Sequence, residues 1–235
     1  MRPSRYPIDA PLWCDGEGEF ELRNLLAQRS LRLARLARAL HADGIDLVAG
    51  LAASDPLPLL DALDRWCDTV WAGRVRRDTA LSERWGERAW PDADEARGFT
   101  LISDLAIALG ERAIRCDAAR WAWGVDRYAE HAADGVPTSG RVVVLDPSLD
   151  RAAVAPPVFD ALGLAYGRFQ AHALGATWRQ RFVDGLRVVL WHSHRALYSA
   201  TSQVMSPAWP RGRRMSVSAS CTTTCSRKCR RGFSS

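Results

Sequence analysis

The run from Thr100 to about Arg115 constrains this chain more than any other stretch. Leu101, Ile102, Leu105, Ile107, Leu109 and Ile114 leave it apolar on nearly every side. A helix without a polar stripe cannot lie on a surface, so the run predicts a central helix that other elements must cover.

Phe20 to His41 supplies one cover. With Leu22 as origin and about 100° per residue, Leu25, Leu26, Leu33, Leu36, Ala37 and Leu40 fall on one stripe, and that face is expected in the core. A second helix is expected from a cap at Ser54 or Asp55, with Pro56 in its first turn, to about Gly73. Leu59, Leu63, Trp66 and Val70 share its inner face, which leaves Asp61, Asp64 and Asp68 on the solvated side. Residues 74–98 are charged and punctuated, and predict a connection with a short helix around Leu81 to Ala89.

Past the central helix the period changes. Trp121, Trp123 and Val125 alternate with Ala122, Gly124 and Asp126, and Val142 to Leu145 is a second β-rich run. The two are expected to pair as antiparallel strands across a loop containing Gly135, Pro137 and Gly140. Pro156-Pro157 then opens a helix with Phe159, Leu162, Tyr166 and Phe169 at steps of three and four, on which Gly163 and Gly167 mark close approach to a neighbour. Asp184-Gly185 between WRQRFV and LRVVLW is a hairpin signal, although Phe182, Leu186, Val189 and Leu190 also fit a helix; the turn dipeptide tips the reading of residues 177–199 towards strands. The fold class is α+β: helices packed on a small antiparallel β-sheet. Residues 1–19 are an irregular lead-in, 20–200 a single domain, and 206–235 a disordered basic tail.

The net charge of +5 is an average of two unlike parts. Residues 1–160 carry a net charge of −6, and residues 161–235, whose one acid is Asp184, carry +11. Nucleic-acid contact is therefore expected only through the tail. Apolar stretches such as Val188 to Trp191 fall far short of the roughly 20 residues that cross a bilayer, and the N-terminus lacks an apolar h-region. A cytoplasmic location away from membranes follows as an expectation, with Cys14, Cys67 and Cys116 as free buried thiols.

Several patterns invite chemistry. Arg29, Arg32, Arg35 and Arg38 recur at a step of three, but each lags its predecessor by about 60°, so they wind around the helix as a solvated face, with Arg29 snorkelling or paired. His192 and His194 would share a strand face like a two-histidine metal edge, yet no third ligand has suitable spacing. Cys221, Cys225 and Cys229 could line a helix, but CTTTCSRKCRR is β-branched and cationic, and a translated frame shift also accounts for such a tail. Trp121 and Trp123, with Trp85 and Trp90, could stack on bases or a sugar ring, but Trp121 and Trp123 are expected as core anchors. Asp126, Glu130 and His131 lie close in sequence and could serve as acid, base or ligand. No G-x-S-x-G elbow, phosphate loop or H-E-x-x-H pair occurs, and no cofactor is expected.

GFTLISDLAIALGERAIRCDAARWAWGVD followed by SGRVVVLDPSLDRAAVAPPVFDALGLAYGRF resembles uncharacterised bacterial helix–strand–strand–helix domains over about residues 98–170. In those domains a helix ending near a Gly-Glu pair, here Gly110-Glu111, precedes a Trp-containing strand, a second strand and a helix. The resemblance implies a small α+β module of the kind found in accessory or toxin-neutralising proteins. The leading expectation is a non-enzymatic interaction protein of immunity-like type, with an acidic surface over residues 55–130, including Asp61, Asp64 and Asp68, steering a basic protein partner. A metal-dependent hydrolase using His192 and His194 with Asp126 or Glu130, and nucleic-acid binding by the tail, are the alternatives.

Overall fold

The apolar run that had to be covered forms the centre of the molecule. The computed structural model of the protein describes residues 6–7, 18–71, 93–149, 157–173, 181–187 and 189. Their order is α1 (Gly18–His41), α2 (Leu47–Ala52), α3 (Leu57–Trp66) continuing into a π-helical turn (Cys67–Trp71), α4 (Ala93–Cys116), β1 (Ala122–Val125), α5 (Ala129–Ala133), β2 (Val142–Leu145), a 3-10 turn (Pro147–Leu149) and α6 (Ala161–Ala173). Every residue of α4 from Leu101 to Leu109 is buried, including the polar Ser103 and Asp104. Helices α1, α2 and α6 and both strands pack around it. The fold is α+β, with helices on a two-stranded antiparallel sheet. No helix among the described residues is long and apolar enough to cross a membrane.

The strands pair in the expected sense, Ala122 opposite Leu145 and Val125 opposite Val142. Trp121 and Trp123 are core residues, as their alternation implied. Gly110 explains how α4 and β1 come so close. A Cβ there would lie 2.1 Å from two ring carbons of Trp123, while the next residue, Glu111, accepts the Trp123 Nε1–H at 2.9 Å. The glycine makes room for the indole and the glutamate holds its polar edge. Gly110→Ala is expected to lower stability by about 1–3 kcal/mol through overpacking, read as a lower urea midpoint at unchanged slope.

Several boundaries differ from expectation. α2 is an additional helix, capped by Asp46, whose carboxylate accepts the Ala49 N–H at 2.9 Å. α4 starts at Ala93, inside the stretch expected as a connection. Phe159 is not helical: its N–H and C=O exchange hydrogen bonds with Val144 at 2.8 and 3.1 Å, extending the sheet by one bridge. α6 then opens at Ala161, where Asp160 Oδ1 accepts the Gly163 N–H at 2.7 Å.

The hairpin reading of residues 177–199 is corrected where the chain is described, since residues 182–187 are helical. The N–H groups of Asp184 and Gly185 both turn back to the Arg181 carbonyl, and Gly185 is not among the described glycines with positive φ. A two-residue hairpin turn would require that conformation. Gly185 serves instead to let this segment approach α6, because a Cβ would meet Leu164 Cδ2 at 2.4 Å.

Candidate functional site

Of the residues that the sequence singles out for chemistry, Asp126 and His131 are brought together. Asp126 follows β1, and its backbone prolongs the ladder: its N–H donates to the Arg141 carbonyl at 2.9 Å and its C=O accepts the Gly140 N–H at 2.8 Å. Its carboxylate is fully buried. It accepts the Thr138 hydroxyl at 2.5 Å, the Tyr128 N–H at 3.3 Å and His131 Nδ1 at 2.8 and 2.9 Å. A carboxylate offers only acceptors, so His131 donates to it through Nδ1. Tyr128 packs edge-on against that imidazole, with ring centroids 5.4 Å apart. Glu130, on the same short helix, is exposed and does not join them.

An imidazole oriented this way has the form of a general base. The same bonds also close the connection between β1 and β2. Asp126 gathers donors from Tyr128, α5 and Thr138, so residues 126–141 are tied to the end of the sheet through one side chain. Thr138→Val is expected to cost about 0.5–1.5 kcal/mol, the worth of one hydrogen bond, measurable by urea unfolding. Among the described residues no three His, Cys, Asp or Glu side chains gather as a metal site.

One acid of α3 stands elsewhere than the helical wheel put it, while Asp61 and Asp68 keep side chains 45% and 43% exposed. Asp64 is buried, not solvated. It accepts the Phe182 N–H at 3.1 and 3.2 Å and faces Arg168 Nε at 3.4 Å and Arg181 Nε at 3.7 Å. Burial pushes its acid above the usual carboxylate range, against the lowering effect of the Phe182 N–H and the two arginines. Asp68 takes the Arg168 NH2 at 2.8 Å, and Asp61 pairs with Arg181. These three carboxylates fasten α6 and residues 181–187 to α3. Cys67 lies in the same neighbourhood, and burial pushes its thiol up, the opposite of what a reactive cysteine needs.

The arginine ladder of α1 divides in the same manner. Arg32 is completely buried and donates to Asp104 Oδ1 at 3.0 Å and to Gln28 Oε1 at 3.2 Å. Asp104 also accepts the Tyr6 hydroxyl at 2.6 Å. Arg29 pairs with Glu111 at 3.3 Å, while Arg38 is exposed. The expected solvated face holds for Arg38 and fails for Arg32, because the buried stripe of α1 is rotated towards it, and Arg29 is paired, one of the two states expected of it. Leu26, expected inside, is consequently exposed.

No family model, curated protein or solved structure matches this chain. Its chemistry rests on its own residues. Arg112 and Arg168, both buried, were not singled out by the sequence. Arg112 donates to the carbonyls of Ala53 and Ser54 at 2.9 and 3.3 Å, closing the end of α2. Arg168 had a visible signal: it falls seven residues after Ala161 and four after Leu164, on the buried stripe of α6. A cation in such a position calls for an internal carboxylate. His192, His194, Cys221, Cys225, Cys229, Trp85 and Trp90 lie outside the described residues, as do the expected tail and the short helix around Leu81 to Ala89.

Proposed function

We propose that this protein is a non-enzymatic interaction factor that binds through the outer side of its first three helices. One observation carries the reading. The large apolar side chains left exposed among the described residues are Phe20, Leu26 and Leu31 on α1, Val48 on α2 and Leu57 at the start of α3, each 44% to 67% exposed. None lies on α4, α6 or the sheet. Single exposed leucines are ordinary, but their concentration on α1 and the two short helices that follow it supports a surface that a partner covers.

Among the described residues, polar groups that invited chemistry have scaffold contacts. Asp126 and His131 close a loop, and the α3 carboxylates hold α6. The latter also removes support for an acidic docking surface built on Asp61, Asp64 and Asp68, because each already faces Arg168 or Arg181. What supports binding is apolar exposure.

Photo-crosslinking in the native cell tests the reading. A photoreactive residue placed at Leu31 is expected to give one discrete, reproducible adduct, while the same residue at exposed Asp134 gives none. Equal smears at both positions, or no adduct at Leu31, would overturn it.

A further inference from the structure

We infer that the outer face of α1 docks an acidic amphipathic segment of a partner protein, an inference that rests on the interaction reading above and adds the partner's chemistry. Helix α1 divides its charges between its two sides. Arg29 and Arg32 turn inwards to Glu111 and Asp104. Glu19 is exposed but is paired with Arg127. The outward remainder is cationic: Arg23 and Arg38 are exposed, and among the described residues no carboxylate pairs with either.

These cations and the exposed apolar residues share one side of the helix. At about 100° per residue, Phe20, Arg38 and Leu31 fall within about 20° of one line, Arg23 about 60° from Phe20, and Leu26 at the margin. Phe20 and Leu31 stand about 16 Å apart along the axis, three turns, and Arg23 and Arg38 about 22 Å. A partner helix of similar length reaches all of them, placing apolar residues at steps of three and four against Phe20 and Leu31 and carboxylates against the two arginines. Complementary charge would orient it and speed its encounter.

A basic, partly apolar helix face also suits an anionic membrane. The protein partner is favoured because the main apolar stripe of α1, with Leu25, Leu36 and Leu40, is already in the core. Between Phe20 and Leu31 the outer face carries Arg23, Ala27 and Ser30, which are charged, small or polar. Too little continuous apolar surface is left to enter a bilayer.

The test uses the full chain and two synthetic 20-residue helical peptides. One has leucines at steps of three and four with glutamates elsewhere, and the other has lysines in place of the glutamates. Fluorescence anisotropy is expected to show binding of the acidic peptide alone, weakened by added salt. The pairs Phe20→Ser with Leu31→Ser and Arg23→Glu with Arg38→Glu should each weaken it by at least about tenfold. All four positions are exposed, so circular dichroism and thermal unfolding should be unchanged. Equal binding of the lysine peptide, or indifference to both pairs of substitutions, overturns the inference. So does binding to phosphatidylserine–phosphatidylcholine vesicles, or a concentration-dependent dimer, that is lost in the Phe20→Ser/Leu31→Ser variant. A discrete crosslink at Leu31 without preference for the acidic peptide defeats the acidic partner and leaves the interaction reading standing, whereas absence of the crosslink defeats both.

Discussion

Asp104→Ala is expected to cost about 3–5 kcal/mol, a large part of the 5–15 kcal/mol that typically holds a domain together. The reason is the neighbour it abandons. Arg32 and Asp104 are both fully shielded from solvent, 3.0 Å apart, and removal of the carboxylate leaves a guanidinium in the core without its counter-charge. The Tyr6 hydroxyl loses its acceptor as well, and burial together with the Asp104 charge already pushes that hydroxyl above the usual tyrosine range. Asp104→Asn should lose less, since its side-chain oxygen still accepts from either donor. Replacing the whole group, with Arg32→Met, Asp104→Leu and Tyr6→Phe together, should recover most of the loss, because a packed apolar trio carries no desolvation cost. Urea unfolding monitored by tryptophan fluorescence gives all of these values; a loss below about 1 kcal/mol for Asp104→Ala would show that the ion pair is not in the core.

Asp64→Ala should also be costly, at about 1–3 kcal/mol, while Asp61→Asn should cost less than about 1 kcal/mol. Both acids lie on α3 and both face Arg181. Asp64 is buried and also accepts the Phe182 N–H and opposes the buried Arg168, so its removal leaves a backbone donor without its acceptor and Arg168 with Asp68 as its remaining carboxylate. Asp61 and Arg181 are about half exposed, where water replaces either partner. If the two substitutions cost the same by urea unfolding, the attachment of α6 and residues 181–187 to α3 through Asp64 is wrong.

The contrast shows how far the sequence could be read. Helical periodicity identified the inward stripe of α3 through Leu59, Leu63 and Trp66, and all three are core. It then assigned every acid on the helix to water, since a helical wheel carries no information about an arginine a hundred residues away. Asp64 and Arg168 identify each other only once α6 is laid against α3. The same holds for α1, where a stripe centred on leucines alone missed the rotation by which Arg32 meets Asp104 and Leu26 is left outside. For the candidate site, the nearness of Asp126 and His131 was legible because five residues separate them. The contribution of Thr138 was not, for it depends on the loop folding back over the end of the sheet.

Local, repeating physics was settled by the chain on its own. An apolar run with no polar side had to become the central helix, and an alternating segment and a β-rich run had to become two strands. Tertiary packing decided whatever depends on partners distant in sequence: which charged residues are buried in pairs, that Phe159 joins the sheet, and that Asp184-Gly185 continues a helical turn. The physical reason is that burying apolar surface depends chiefly on a residue's own character, whereas burying a charge is tolerable only when its counter-charge arrives at hydrogen-bonding distance.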